Sequence, residues 1–153
     1  MIIIAVSGWR GFVQASDRAW IRQELVFWSD VLSLPTSASV YWRYGDEKAG
    51  CDSVIHEALQ GYPGGFCRYE ADWSLPHKAG GPVRSMHMLL GRNHLDCFER
   101  QKADCLLAFP QPGKRFPRHE EVSGTFTCIQ QAKRYGITTI MPGYTRPEPE
   151  GLF

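Results

Sequence analysis

The chain has 153 residues, 43% hydrophobic and 22% charged, with a formal net charge of +1. That length supports one domain with its own core. The near-neutral charge, with no basic run longer than two residues, excludes a nucleic-acid coat or a polybasic membrane-surface protein.

Five short apolar runs alternate with helical patterns. The opening MIIIAVSG has neither the basic start nor the length of a signal segment, so residues 2–6 read as a strand. Residues 17–34 follow as a helix, capped by Ser16 or Asp17, with Trp20, Leu25, Trp28 and Leu32 at helical spacing and Pro35 as its stop. A second strand is expected over residues 39–44 and a short helix over 51–59. A third strand spans 66–71, and the longest helix is expected over 83–100, with Gly91-Arg92-Asn93 as a candidate break. Residues 105–109 form a fourth strand. A helix over 125–135 ends at Gly136, a natural residue just past a helix end. The fifth strand spans 137–141. The first, fourth and fifth strands are nearly continuous in apolar residues, as in strands covered on both faces by helices. The predicted fold class is therefore α/β, a Rossmann-like three-layer sandwich with a mainly parallel sheet of about five strands. Residues 1–142 make the domain, and 143–153 a Pro-rich C-terminal tail. No apolar stretch approaches the ~20 residues that cross a bilayer.

The cysteines (51, 67, 97, 105 and 128) are odd in number and contain no CxxC, so reduced thiols and a cytoplasmic location are expected. His77, His87, His94 and His119 show no ligand spacing, so no metal and no cofactor is expected.

In such a sheet, ligands gather at the carboxyl ends of the strands. Ser7, Gly8 and Arg10 follow the first strand. Gly45, Asp46, Gly50 and Asp52 follow the second. Asp72, Trp73, Gly80, Gly81 and Arg84 follow the third. The fourth strand exits at Phe109-Pro110 into a charged loop that leads to Gly124-Thr125. Glycine permits close approach of backbone to ligand. Free N–H groups at a helix start favour an anion such as phosphate. Gly80-Gly81-Pro82 reads as such a cradle, with Arg84 as a guanidinium clamp. Trp73 is either a packing residue or a platform for a base. The loop 110–123 is either a lid or a disordered insertion. No GxGxxG and no GxxxxGK[ST] is present, which argues against a dinucleotide fingerprint or a P-loop NTPase. The strand tips are expected to form a single electropositive hollow.

The order SGWRGF, YGDEKAGCD, ADWSLPHKAGGPVRSMHM, DCLLAFP and GT resembles small SLOG-superfamily proteins of the DUF2493 type, from residue 3 to 140. That group is related to the Lonely-guy phosphoribohydrolases and to the DNA-processing protein DprA. Ser85 stands where the family usually has Asn, and a long loop replaces a short Gly-rich connection before Gly124. The resemblance implies a nucleotide or ADP-ribose-like ligand bound across the strand ends by a sensor or binding module. It also implies a bacterial or phage source and a homo-oligomer, with one side of the first long helix (Trp20, Phe27, Trp28) as a contact. Binding to nucleic acid is not expected at this net charge.

The alternative implied by the Lonely-guy branch is a phosphoribohydrolase-like enzyme that cleaves an N-glycosidic bond. The branch's catalytic Glu falls on Cys128 here, a poor stabiliser of positive charge on a sugar. The catalytic candidates are then Arg84, Asp72 and Glu121, with Glu120 beside it. Asp52 or Asp72 would meet ribose hydroxyls.

Overall fold

The computed structural model describes residues 1–33, 39–62, 64–112, 124–145 and 147. In chain order these form β1 (Ile2–Gly8), α1 (Ala15–Ser33), β2 (Val40–Gly45), α2 (Cys51–Ala58) and β3 (Phe66–Tyr69). Then come α3 (Gly80–Leu90), β4 (Cys105–Phe109), α4 (Gly124–Arg134) and β5 (Thr138–Ile140), with a short 3-10 turn at Pro76–Lys78 before α3. The sheet has five parallel strands in the order β3-β2-β1-β4-β5, so the predicted fold class holds.

Alternation along the strands divides the core into two layers. Ile4, Val6, Leu107 and Phe109 face α1 and α2, where Ile21, Leu25, Val54 and Ile55 meet them. Ile3, Ala5, Leu106 and Ala108 face α3 and α4, against Met88, Leu89, Phe126 and Ile129. The chain order reverses between β1 and β4, where Ser7 pairs with Ala108 and Gly8 with Phe109. A crevice beyond the carboxyl ends of those two strands is the usual ligand position in such sheets.

Three element boundaries differ from the sequence expectation for identifiable reasons. α1 begins at Ala15, so Ser16 and Asp17 lie inside its first turn and do not precede it. Asp17 reaches back to accept the Gln14 N–H (3.2 Å), and it also accepts the Tyr144 hydroxyl (2.8 Å). Tyr144 stacks on Trp20 with ring centroids 4.1 Å apart, so the start of the Pro-rich tail packs on α1. α3 begins at Gly80 and stops at Leu90, well short of residue 100. Gly91 ends it in the left-handed conformation (φ 72°), and the Arg100 N–H closes the following loop onto the Gly91 carbonyl (2.7 Å). Pro35 and the end of the expected first helix lie outside the described residues.

The loop after Gly91 is fastened by a side chain that the strand pattern disguises. Arg43 lies in the middle of β2 and is fully buried, with Nε 2.7 Å from Asp96 Oδ2. Its remaining N–H groups donate to Asp96 Oδ1 and to the carbonyls of Met88, Gln101 and Phe98. Tyr69 donates to Asp96 at 2.6 Å, and the Tyr41 hydroxyl accepts the Cys97 N–H. Burial, then the bond to Asp96, raises the Tyr69 phenol above its ordinary value.

All five thiols are free, four buried and Cys97 exposed. Among the described residues no helix is long and apolar enough to cross a membrane.

Candidate functional site

At the β1/β4 reversal a cleft of about 520 Å³ opens. Ser7, Gly8 and Arg10 reach it from the β1 turn, and Asp52 from the first turn of α2. Trp73, Gly81 and Arg84 reach it from the loop before α3 and from α3 itself, and Gly124 and Thr125 from the start of α4. Four separate chain segments thus meet around one hollow. Gly8, Arg84 and Thr125, whose meeting is the geometric condition for a shared site, all line it.

The turns are held by close backbone approaches. A Cβ on Gly8 would fall 2.5 Å from Cys51 Cβ, so only glycine lets β1 run under the start of α2. The Trp9 N–H donates to the Phe109 carbonyl (2.9 Å), and the Cys51 N–H donates to the Trp9 carbonyl (3.3 Å), which ties the β1 turn to both neighbours. Gly50 (φ 72°) packs on the Arg10 backbone. Phe109 and Gly50 therefore buttress the turn that carries Arg10. Neither is part of the lining, and neither are Gly45, Asp46, Asp72 and Pro110.

Gly45 has a different task. A Cβ there would lie 2.7 Å from Asp52 Oδ2 and 3.1 Å from Arg84 Nε. Its bare backbone lets a carboxylate and a guanidinium come together at the floor of the cleft. Arg84 Nη1 donates to Asp46 Oδ1 at 2.5 Å, and Asp46 also accepts the Ala71 N–H. Asp52 is 7% exposed and accepts the Glu47 N–H at 3.1 Å. Burial pushes its carboxyl up to about 6, against the opposing pull of Arg84 and the Glu47 N–H.

Asp72 sits apart, on an exposed turn. Its carboxylate accepts the Ser74 N–H and hydroxyl, which hold it below the ordinary carboxylate range. It shapes the Trp73 loop and does not reach the cleft. Cys128 is fully buried, and its thiol is pushed up to about 12 by burial despite the nearby Ser7 and Ser85 hydroxyls. A neutral, enclosed thiol is neither a nucleophile nor a substitute for a carboxylate. Glu121, Glu120 and most of the loop 110–123 lie outside the described residues.

The cleft is not uniformly electropositive. Arg10, Lys78 and Arg84 share its lining with Glu47 and Asp52. Glu47, Lys78, Ser85, Gln111 and Thr127 join the lining without having been singled out from the sequence. Thr127 stands two residues beyond Thr125, and Ser85 adjoins Arg84, so both were within reach of the motifs. Lys78 is brought in by a left-handed backbone (φ 55°) that the sequence does not announce. A more open hollow of about 830 Å³ lies at the far end of α3, bordered by Arg92, Arg100 and Lys102. It is remote from the strand ends and gathers no turn glycines.

Among the described residues no His, Cys, Asp or Glu cluster could hold a metal ion. No family model matches the chain, and comparison with curated proteins and with solved structures finds no match.

Proposed function

We propose that this cleft binds a nucleotide or nucleotide-derived ligand and that the protein works as a sensor or binding module. The observation that carries the reading is the meeting of Gly8, Asp52, Arg84 and Thr125 at the β1/β4 reversal. It sets a guanidinium and the start of α4 within one hollow for a phosphate, and a buried carboxylate for sugar hydroxyls. The likeness to SLOG proteins of the DUF2493 type supports the same ligand class. In this reading the protein is cytoplasmic, consistent with its buried free thiols. It is a homo-oligomer through the outer side of α1, where Val26 and Phe27 are exposed.

A thermal-shift screen with AMP, GMP, cyclic dinucleotides and ADP-ribose tests it. A ligand at 100 times its Kd adds about 2.7 kcal/mol, which is a shift of several degrees for a domain of this size. Absence of a shift with every compound rejects the reading.

Asp52 favours a second reading, a phosphoribohydrolase-like hydrolase. It is a carboxylate already in the cleft, where positive charge on a ribosyl ring would need one. Free base accumulating from nucleoside monophosphates, and abolished in Asp52→Asn, is the expected signature. Ligands that bind but survive prolonged incubation leave the binding module alone.

A further inference from the structure

The geometry points to Trp73 as a stacking surface. We propose that its indole receives a planar ring of the ligand, so that the cleft selects nucleobase-bearing compounds over bare sugar phosphates. The inference rests on the nucleotide reading of the cleft and names the part of the ligand that the reading leaves open.

Trp73 borders the cleft and is 64% exposed, a large apolar surface left in water. The other tryptophans are placed differently. Trp9 packs edge-on to Phe12, Trp20 stacks on Tyr144, Trp28 meets Phe27, and Trp42 is 3% exposed in the core. Among the described residues Trp73 alone has neither a ring partner nor burial.

Its underside is nevertheless fixed. The six-membered ring lies over the first residues of α3, with Cε3 3.0 Å from the Cβ position of Gly80 and Cη2 3.7 Å from that of Gly81. A side chain on Gly80 would collide with the Asp72 carbonyl (2.6 Å) and crowd the ring, whereas one on Gly81 would meet the ring at ordinary contact distance, and the rest of the indole surface stays open. Gly80 therefore seats the indole, while Gly81 stays in the lining of the cleft.

The loop that presents the ring is under strain. His77 (φ 58°) and Lys78 (φ 55°) are consecutive residues in the left-handed region, which a side chain disfavours. Asp72 locks the other flank through Ser74. This folding brings Lys78 into the lining of the same cleft as the indole. An exposed aromatic face and a cation in one cleft are the combination that holds a base and its adjoining phosphate without regard to base identity.

Calorimetric titration of the full chain with AMP and with ribose 5-phosphate tests the proposal, repeated on Trp73→Ala and Trp73→Phe. AMP is expected to bind roughly 5- to 100-fold more tightly than ribose 5-phosphate. Trp73→Ala should bring AMP down to the level of the sugar phosphate and leave the latter within about twofold, whereas Trp73→Phe keeps part of the preference, as expected for ring stacking. Equal affinities in the unaltered protein overturn the platform while the cleft stands, and so does an equal loss of both ligands in Trp73→Ala. If neither compound binds, and GMP, cyclic dinucleotides and ADP-ribose do not bind either, the nucleotide reading falls and the platform with it.

Discussion

Arg43–Asp96 and Arg84–Asp46 join the same two side-chain types across neighbouring parts of the α3 layer, yet they are finished differently. Around Arg43 every N–H has an acceptor: Asp96 takes two, and the carbonyls of Met88, Gln101 and Phe98 take the rest. Both side chains are 0% exposed. Arg84 makes one such bond among the described residues, to Asp46, and the pair keeps 15% and 24% of its side-chain surface. A closed polar network fixes a loop, because any other arrangement strands a charge in the core. A half-used guanidinium facing a hollow leaves donors for something else. The difference separates a part of the molecule closed on itself from a part with donors left over.

The largest effect should come from opening the closed pair. Arg43→Met leaves Asp96 buried without its counter-charge, and the loss expected is about 3–5 kcal/mol, read as a fall in the urea midpoint. The loop from Gly91 to Lys102 should lose amide protection first, since its carbonyls and Asp96 are what Arg43 holds. A loss below about 1 kcal/mol would mean that the network does not organise this region, and the contrast between the two pairs would disappear.

Asp52 comes next, because burying its carboxylate works against folding. Its native pKa, near 6, lies above the value of about 3.9 expected in the unfolded chain. A raised carboxyl pKa means that the native state holds the proton more tightly. This contribution therefore favours the fold below about pH 4, declines as the pH rises towards 6, and stays unfavourable above it. Asn at position 52 keeps an oxygen for the Glu47 N–H but cannot ionise. Asp52→Asn should gain on the order of 2 kcal/mol at pH 8 and show no gain at pH 4, by urea unfolding at both. It should bind nucleotide more weakly at pH 8. A gain in stability coupled to a loss of binding is what a group retained for its ligand produces. A variant destabilised at pH 8 would instead make Asp52 part of the closed architecture.

The sheet was readable from the sequence because both faces of β1 and β4 are apolar, and uninterrupted runs such as Cys105–Phe109 have few alternatives. The turn residues were readable because position at a strand end is a topological property, and Gly8, Arg84 and Thr125 inherit it from the strand order. Contacts between residues far apart in the chain were not. Nothing local pairs Arg43 with Asp96, 53 residues away, and an arginine amid Trp42 and Tyr44 reads as one polar residue in a strand. The same limit applies to Asp72 and Asp52. Both are carboxylates just past strands, and only the fold shows that one is spent on Ser74 while the other faces the cleft.

The smallest effect on stability, and the sharpest contrast, is expected from Arg84→Ala. The pair with Asp46 is partly solvated, and exposed pairs of this kind contribute about 0–1 kcal/mol. Asp46 keeps the Ala71 N–H and 24% of its side-chain surface in solvent, so no charge is stranded. The urea midpoint should therefore barely move, in contrast to Arg43→Met. A guanidinium bond to a phosphate is worth about 1.5–3 kcal/mol, so AMP affinity should fall by roughly tenfold or more, and ribose 5-phosphate should fall with it. That pattern separates Arg84 from Trp73, whose removal should affect AMP alone. If Arg84→Ala unfolds as readily as Arg43→Met, the two arginines do the same structural work; if it leaves both affinities intact, Arg84 is not the cation that meets the ligand.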